Sequence, residues 1–251
     1  GDGLFETIRV FDGKMPFIKI HFERLKNGLS LLKFEIPNYF TESFFSDEIE
    51  KLTKGNGNHR IRLSVFRSEG GFYTPSDNHP KFLIEDQILD NSRFKLNDSG
   101  LAIGIFEDLK ISNNLLSPLK TANSLSYILA GIYCKENRFD DCLLINDSGN
   151  IAEGISSNIF VLKDKKMITP SLSESCVAGT MRKVIIEIAK TKNFKISETT
   201  VPLTNLELAD EVWLTNAMNG IQWVGSFNAF TFENKVASEF VQFLNEKITA
   251  I

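Results

Sequence analysis

Three side chains in this sequence have the types and surroundings that carbonyl and phosphate chemistry needs. Lys120 stands in Pro118-Leu119-Lys120-Thr121-Ala122-Asn123, at the mouth of a segment that reads as a buried helix. An amine held among apolar groups loses solvation of its charged form. Its pKa falls, and it becomes a nucleophile able to form a Schiff base with a carbonyl. Taken alone, a lysine is usually a solvated surface group; its company changes the odds. Glu153 follows in Ile151-Ala152-Glu153-Gly154-Ile155-Ser156-Ser157-Asn158. A carboxylate at the far end of a ring-nitrogen cofactor could hold its proton. Arg24, in His21-Phe22-Glu23-Arg24-Leu25, lies in the first turns of a helix whose apolar face is Phe22, Leu25 and Leu29. A guanidinium there can clamp a phosphate through two hydrogen bonds, or it is a surface arginine.

Two further stretches have the pattern of anion sites. Val177-Ala178-Gly179-Thr180-Met181-Arg182 opens a helix, where backbone N–H groups and the helix dipole favour an anion and glycine permits close approach. A plain helix cap has the same pattern. Arg60-Ile61-Arg62-Leu63-Ser64-Val65 alternates as a strand does, so Arg60 and Arg62 share a face and could receive a carboxylate. Charge protecting an edge strand reads the same way. Other chemistries lack a signature. The three histidines, His21, His59 and His79, share no ligand spacing with cysteine or carboxylate, so no metal site is expected. GxGxxG, GxxxxGK[ST] and GxSxG do not occur.

The elements that must position these groups read as α+β. Leu4–Val10 is a strand, Phe11-Asp12-Gly13-Lys14 its turn, and 17–20 a return strand. Helical spacing runs from His21 to Phe34 and, more weakly, from Ser43 to Leu52. Strands follow at 60–67, 81–86 and 101–106. A helix is predicted from about Thr121 to Glu136 with Leu125, Ile128, Leu129 and Ile132 on one face. Strands at 142–145, 151–153, 157–162, 167–170, 211–214 and 222–224 surround a helix at 179–192 whose inner face is Val184, Ile185, Ile188 and Ala189. A helix at 238–247 closes the chain. The polar run ending at Pro118 suggests a smaller N-terminal α/β domain over 1–110, a linker at 111–118 and a larger, β-rich C-terminal domain over 119–251.

The 251 residues are 42% hydrophobic, enough for a substantial core, and 21 are phenylalanine, which predicts dense aromatic packing. A net charge of -4, from 28 basic and 32 acidic residues, asks for neither nucleic acid nor an anionic membrane. No apolar run approaches the ~18 residues of a membrane span. No signal peptide is apparent. Cys134, Cys142 and Cys176 lack a paired spacing and read as reduced packing thiols of a cytoplasmic protein. The chain opens Gly1-Asp2-Gly3 without an initiator methionine, so a preceding strand or hairpin is expected.

In order and spacing these pieces resemble the class IV aminotransferases, the fold-type IV pyridoxal-phosphate enzymes. The resemblance runs through Gly1-Asp2-Gly3-Leu4-Phe5-Glu6-Thr7-Ile8-Arg9, Arg24-Leu25, Lys120 with Asn123, Glu153-Gly154 with Ser157-Asn158-Ile159-Phe160, Gly179-Thr180-Met181-Arg182 and Thr215-Asn216-Ala217. It implies a two-domain homodimer that binds pyridoxal 5'-phosphate and a small-molecule amine. Lys120 would hold the cofactor as a Schiff base and later act as acid or base. Glu153 would face the pyridine nitrogen. Arg24 would bind the phosphate with the N–H groups of Thr180 and Met181. Ala217 and Met218 would close the site near phosphate and substrate, with Arg60 and Arg62 receiving substrate carboxylates. Within the family the chain looks most like an aminodeoxychorismate lyase of folate biosynthesis. Thr215-Asn216-Ala217-Met218-Asn219-Gly220-Ile221 and Arg67-Ser68-Glu69-Gly70-Gly71-Phe72-Tyr73 are similar to the lyase loops. Leu125 stands where branched-chain enzymes carry a tyrosine, and Arg60-Ile61-Arg62 stands for their Tyr-x-Arg. A branched-chain or D-amino acid aminotransferase is the alternative, and a non-catalytic binding protein of this fold the third.

Overall fold

The computed structural model describes Asp2–Thr249 as two compact units. The first comprises the residues up to Arg93, Leu119–Asn123 and those from Lys247 onward; the second comprises Phe94–Pro118 and Ser124–Glu246.

In the first unit, β1 (Gly3–Val10), α1 (Ile18–Leu31), α2 (Glu42–Thr53), β2 (Asn58–Arg67) and β3 (Pro80–Leu89) follow one another. The strands form an antiparallel sheet in the order β1-β2-β3. Alternation gives the sheet two faces. Leu4, Ile8 and Val10 on β1, with Ile61, Leu63 and Val65 on β2, are buried against Leu25, Leu29, Phe45 and Ile49 of the helices. α1 lies close over β1 at Gly28, where an added Cβ would come within 2.6 Å of Leu4 Cδ1. Phe40, Phe44, Phe45 and Phe82 pack as a group, mostly edge to face, which accounts for part of the phenylalanine content. Thr41 caps α2 by accepting from Phe44 N–H at 3.2 Å. The expected return strand at 17–20 is instead the start of α1. The Asp12-Gly13 turn is present, with Phe11 bridged to Lys14, but the chain then coils, so that Leu25 and Leu29 reach the sheet on one helical face.

The second unit contains β4 (Leu101–Ile111), α3 (Leu125–Glu136), β5 (Asp141–Asn146), β6 (Ile151–Gly154), β7 (Asn158–Lys163), β8 (Lys166–Pro170), α4 (Thr180–Thr191), β9 (Lys195–Thr199), α5 (Thr204–Glu207), β10 (Glu211–Asn216), β11 (Gly220–Phe227), β12 (Phe230–Thr231) and α6 (Lys235–Thr249). Its strands form a mixed nine-stranded sheet, β6-β5-β4-β11-β10-β7-β8-β9, with β12 on β11. Val184, Ile185, Ile188 and Ala189 of α4 are buried, as the periodicity predicts. The buried Glu211 carboxylate accepts the N–H groups of Val236 and Ala237 and so caps the start of α6.

Two expectations are corrected here. β4 runs through residue 110 and pairs with β5 and β11, so the chain does not divide at 111–118. α3 begins at Leu125, and its apolar face is not covered: Leu125, Ile128, Leu129 and Ile132 are 70%, 56%, 46% and 50% exposed. Ala130 and Cys134, on the other side, pack on Phe106, Cys142 and Leu144. Periodicity shows that a face is apolar, not that something lies over it. Among the described residues, no helix is long and apolar enough to cross a membrane.

Candidate active site

The candidate groups of the first unit gather around β1. Lys120 lies in a short extended segment rather than at a helix mouth. Phe5 N–H donates to the Lys120 carbonyl at 3.0 Å and Ala122 N–H to the Gly3 carbonyl at 2.8 Å, so residues 119–123 add to the free edge of β1. This backbone pairing fixes where the half-buried Lys120 side chain starts. Its Nζ lies 4.5 Å from the centre of the Phe5 ring, and the Arg62 guanidinium lies 4.0 Å from the same centre. The register pairs Thr7 with Arg62 and Arg9 with Arg60, so Phe5, Thr7, Arg60 and Arg62 share the face of the sheet opposite the helices. Arg60 and Arg62 are both half-buried there, with Arg62 Nε 3.8 Å from Glu85 on β3.

On β1 the helix-covered face contains one ionisable residue, Glu6, among the apolar Leu4, Ile8 and Val10. Arg24 Nε donates to its Oε1 at 2.8 Å, Arg24 Nη2 donates to Oε2, and His21 Nδ1 lies 2.7 Å from Oε2. Burial alone would raise the Glu6 carboxyl, but the Arg24 charge and the hydrogen bonds from His21 and Arg24 overcome it and hold it at about 2. Burial pushes His21 down, assisted by the positive charges of Arg24 and Lys120 and opposed by Glu6. A neutral imidazole therefore serves Glu6 as a donor through Nδ1. Arg24, predicted as a phosphate ligand, thus presents its Nε–Nη2 edge to a carboxylate of its own chain. The sequence contained a signal for this site: an acid at the second position of the otherwise apolar alternating run Leu4, Glu6, Ile8, Val10.

In the second unit, Glu153 sits at the end of β6, buried. Donors converge on it, among them Tyr127 O–H at 2.7 Å, Val177 N–H at 3.0 Å and Asn158 Nδ2 at 3.4 Å. An ionised carboxylate accepts only, so these donors suit it. Burial, together with the Glu153 charge, pushes the Tyr127 hydroxyl upward and keeps it a donor. The turn from Gly154 to Ser157 that joins Glu153 to Asn158 is braced by Asp141, which accepts Ile155 N–H at 3.0 Å and lies 3.4 Å from Ser157 Oγ. Asn158 also donates to the Val177 carbonyl at 2.8 Å, tying β7 to the loop before α4. That loop ends at Gly179, the N-cap of α4, and a Cβ there would fall 1.8 Å from Asn158 Oδ1. With a glycine as the cap, the first turn, with Thr180 and Met181, is left to its backbone N–H groups. Ala217 and Met218 form the turn from β10 to β11, shaped by Asn216 Oδ1, which accepts Met218 and Asn219 N–H at 3.0 and 2.8 Å. Lys120, Arg24, Arg60 and Arg62 therefore belong to the first unit, and Glu153, Thr180, Met181, Ala217 and Met218 to the second. Glu6, His21, Tyr127 and Asp141 were not singled out by sequence reasoning. The three cysteines are free and buried, and burial pushes Cys142 and Cys176 up to about 12, so they are packing groups rather than nucleophiles.

A lysine, a buried carboxylate and a helix opened by glycine are the kinds of group that carbonyl-cofactor chemistry uses. The amino-transferase class IV family model matches residues 3–227, and the chain belongs to this family. An aminodeoxychorismate lyase of Vibrio harveyi is 28% identical over 244 residues, covering 94% of this chain and 86% of its own. A D-alanine aminotransferase of Staphylococcus haemolyticus is 27% identical, covering 84% and 74%. The branched-chain amino acid aminotransferase of Thermobaculum terrenum, solved in its PLP form, shares the fold with a TM-score of 0.83 at 21% identity, covering 98% of this chain and 83% of its own.

Proposed function

We propose that this protein is a pyridoxal-phosphate enzyme acting as an aminodeoxychorismate lyase, releasing pyruvate and 4-aminobenzoate. The residues fit the cofactor: Lys120 offers an amine on a fixed strand edge, Glu153 an acceptor held by converging donors, and α4 a start whose cap no side chain fills. When bound, pyridoxal phosphate supplies an electron sink for charge left on the substrate carbon. Lys120 Nζ would hold the cofactor and would move the proton at the substrate carbon bearing the amine. Tyr127 and Asn158, which hold the Glu153 carboxylate in place, would keep it directed at the ring nitrogen. Arg24 would serve as a phosphate ligand, as would the N–H groups of Thr180 and Met181, and Ala217 and Met218 would take their part near phosphate and substrate.

The observation that carries the substrate choice is the shared face of β2. Arg62 lies over the same Phe5 ring as Lys120, and half-buried Arg60 stands two residues along. A substrate with two carboxylates and an amine meets that set better than leucine or alanine does. The likeness to the Vibrio harveyi lyase supports the same choice. The uncovered face of α3 supports a homodimer, since apolar side chains in that arrangement favour association with a second copy. Three buried, unpaired thiols suit the reducing cytoplasm. Pyruvate release from aminodeoxychorismate, measured with no keto acid acceptor added, tests the activity. It should exceed transamination of leucine or D-alanine; faster transamination would assign the chain to the aminotransferases instead.

A further inference from the structure

Glu6 is 1% exposed on a strand face otherwise made of Leu4, Ile8 and Val10, and a leucine at that position would pack against Leu25 and Leu29. A carboxylate there carries a large desolvation cost, and buried ion pairs often add little to stability over an apolar replacement. Its arrangement is specific nonetheless. Both oxygens receive Arg24 side-on, through Nε and Nη2, and this fork fixes the plane of the guanidinium as well as its position. Oε2 is itself steered by His21 Nδ1 at 2.7 Å, and His21 is 2% exposed. His21 and Arg24 are three residues apart on α1 and so lie on one side of it. The fork to Glu6 turns Nη1 and the outer N–H of Nη2 away from that carboxylate.

We propose that Glu6 and His21 are positioning residues for the cofactor's phosphate: they set the plane of Arg24 so that its Nη1 side meets the phosphate, and so enforce preference for the phosphorylated cofactor. This rests on Arg24 being a phosphate ligand, as proposed above. Neither residue touches the reacting atoms. Their effect is therefore confined to affinity for the phosphate-bearing form.

The test compares binding of pyridoxal phosphate and of pyridoxal, which lacks the phosphate, to the full chain stripped of cofactor, followed by visible absorbance. Glu6→Asp keeps the charge but withdraws it by one methylene. It should weaken pyridoxal phosphate on the order of tenfold, the worth of one charge-assisted hydrogen bond, while pyridoxal binding stays within about twofold. His21→Ala should lower the same ratio. His21→Asn, whose amide nitrogen can stand where Nδ1 does, should restore it. Thermal melting confirms that each variant is folded, and the His21 pair decides if Glu6→Asp is not. Arg24→Ala separates the two ideas. If it leaves the ratio unchanged, the phosphate role of Arg24 fails. If it collapses the ratio while the folded Glu6 and His21 variants keep the wild-type value, only the positioning role is overturned. Equal weakening of both ligands would make Glu6 and His21 structural and also overturn it.

Discussion

Replacing Glu6 by glutamine should leave a stability gap that closes with acid. The carboxyl lies at about 2 in the folded chain against an ordinary 4.5. Each tenfold change in proton affinity is ~1.4 kcal/mol, so the charge contributes about 3 kcal/mol to folding at neutral pH. The sign follows from the direction: a depressed carboxyl stabilises above its unfolded value and loses that contribution as pH falls through its folded one. Wild type should therefore exceed Glu6→Gln by about 3 kcal/mol at pH 7, by less below pH 4.5, and by almost nothing near pH 2. His21, pushed down by burial, adds acid sensitivity of its own in the same direction, because the unfolded chain takes up that proton first. Urea unfolding of the cofactor-free protein across pH 2–7 measures the gap. Far-ultraviolet circular dichroism is the suitable signal, since Trp213 and Trp223 are both in the second unit. A gap of the same size at pH 3 and pH 7 would refute this account and make Glu6 a matter of shape rather than charge.

Borohydride reduction of the purified, yellow protein should fix the cofactor to Lys120 in peptide mapping; an adduct on another lysine would displace it from its role. Glu153→Gln should bind cofactor at full occupancy yet turn over at least tenfold more slowly, since a neutral amide stabilises a protonated ring nitrogen poorly; normal turnover at full occupancy would reduce Glu153 to a residue of its turn. Arg62→Leu should raise KM for aminodeoxychorismate roughly tenfold, less than for a fully desolvated pair because its side chain is 34% exposed; an unchanged KM would remove it from the substrate. Leu129→Glu should shift the protein from dimer to monomer in analytical ultracentrifugation, and a retained dimer would place the contact away from α3.

The parts of the fold legible in the sequence are those where a local period and a buried face coincide. Val184, Ile185, Ile188 and Ala189 gave α4, and alternation from Arg60 gave β2 and the common face of Arg60 and Arg62. Where the period was present but the cover was not, as for Ile128 and Ile132, spacing could not tell an inward face from an outward one. β9, Lys-Ile-Ser-Glu-Thr, carries no apolar alternation because it is an edge strand exposed along most of its length, and it was missed. Lys120, Glu153 and Arg24 could be singled out as candidates by type and by their order along the chain. Their partners were not, because the contact between Glu6 and His21 depends on how α1 returns over β1, and that between Tyr127 and Glu153 on how α3 packs beside β5.

The five residues Leu119–Asn123 that line the edge of β1 have a consequence for how the chain must be made. The first unit is not continuous: it is left at Arg93 and revisited at Leu119. During synthesis it waits, with β1 bare along one side, until residue 123 has emerged from the ribosome. An unpaired strand edge is a template for the wrong partner. A fragment cut after residue 110 would carry that open edge permanently and would lack Lys120 as well. The lysine proposed to do the chemistry is thus supplied by the same piece of chain that seals the sheet.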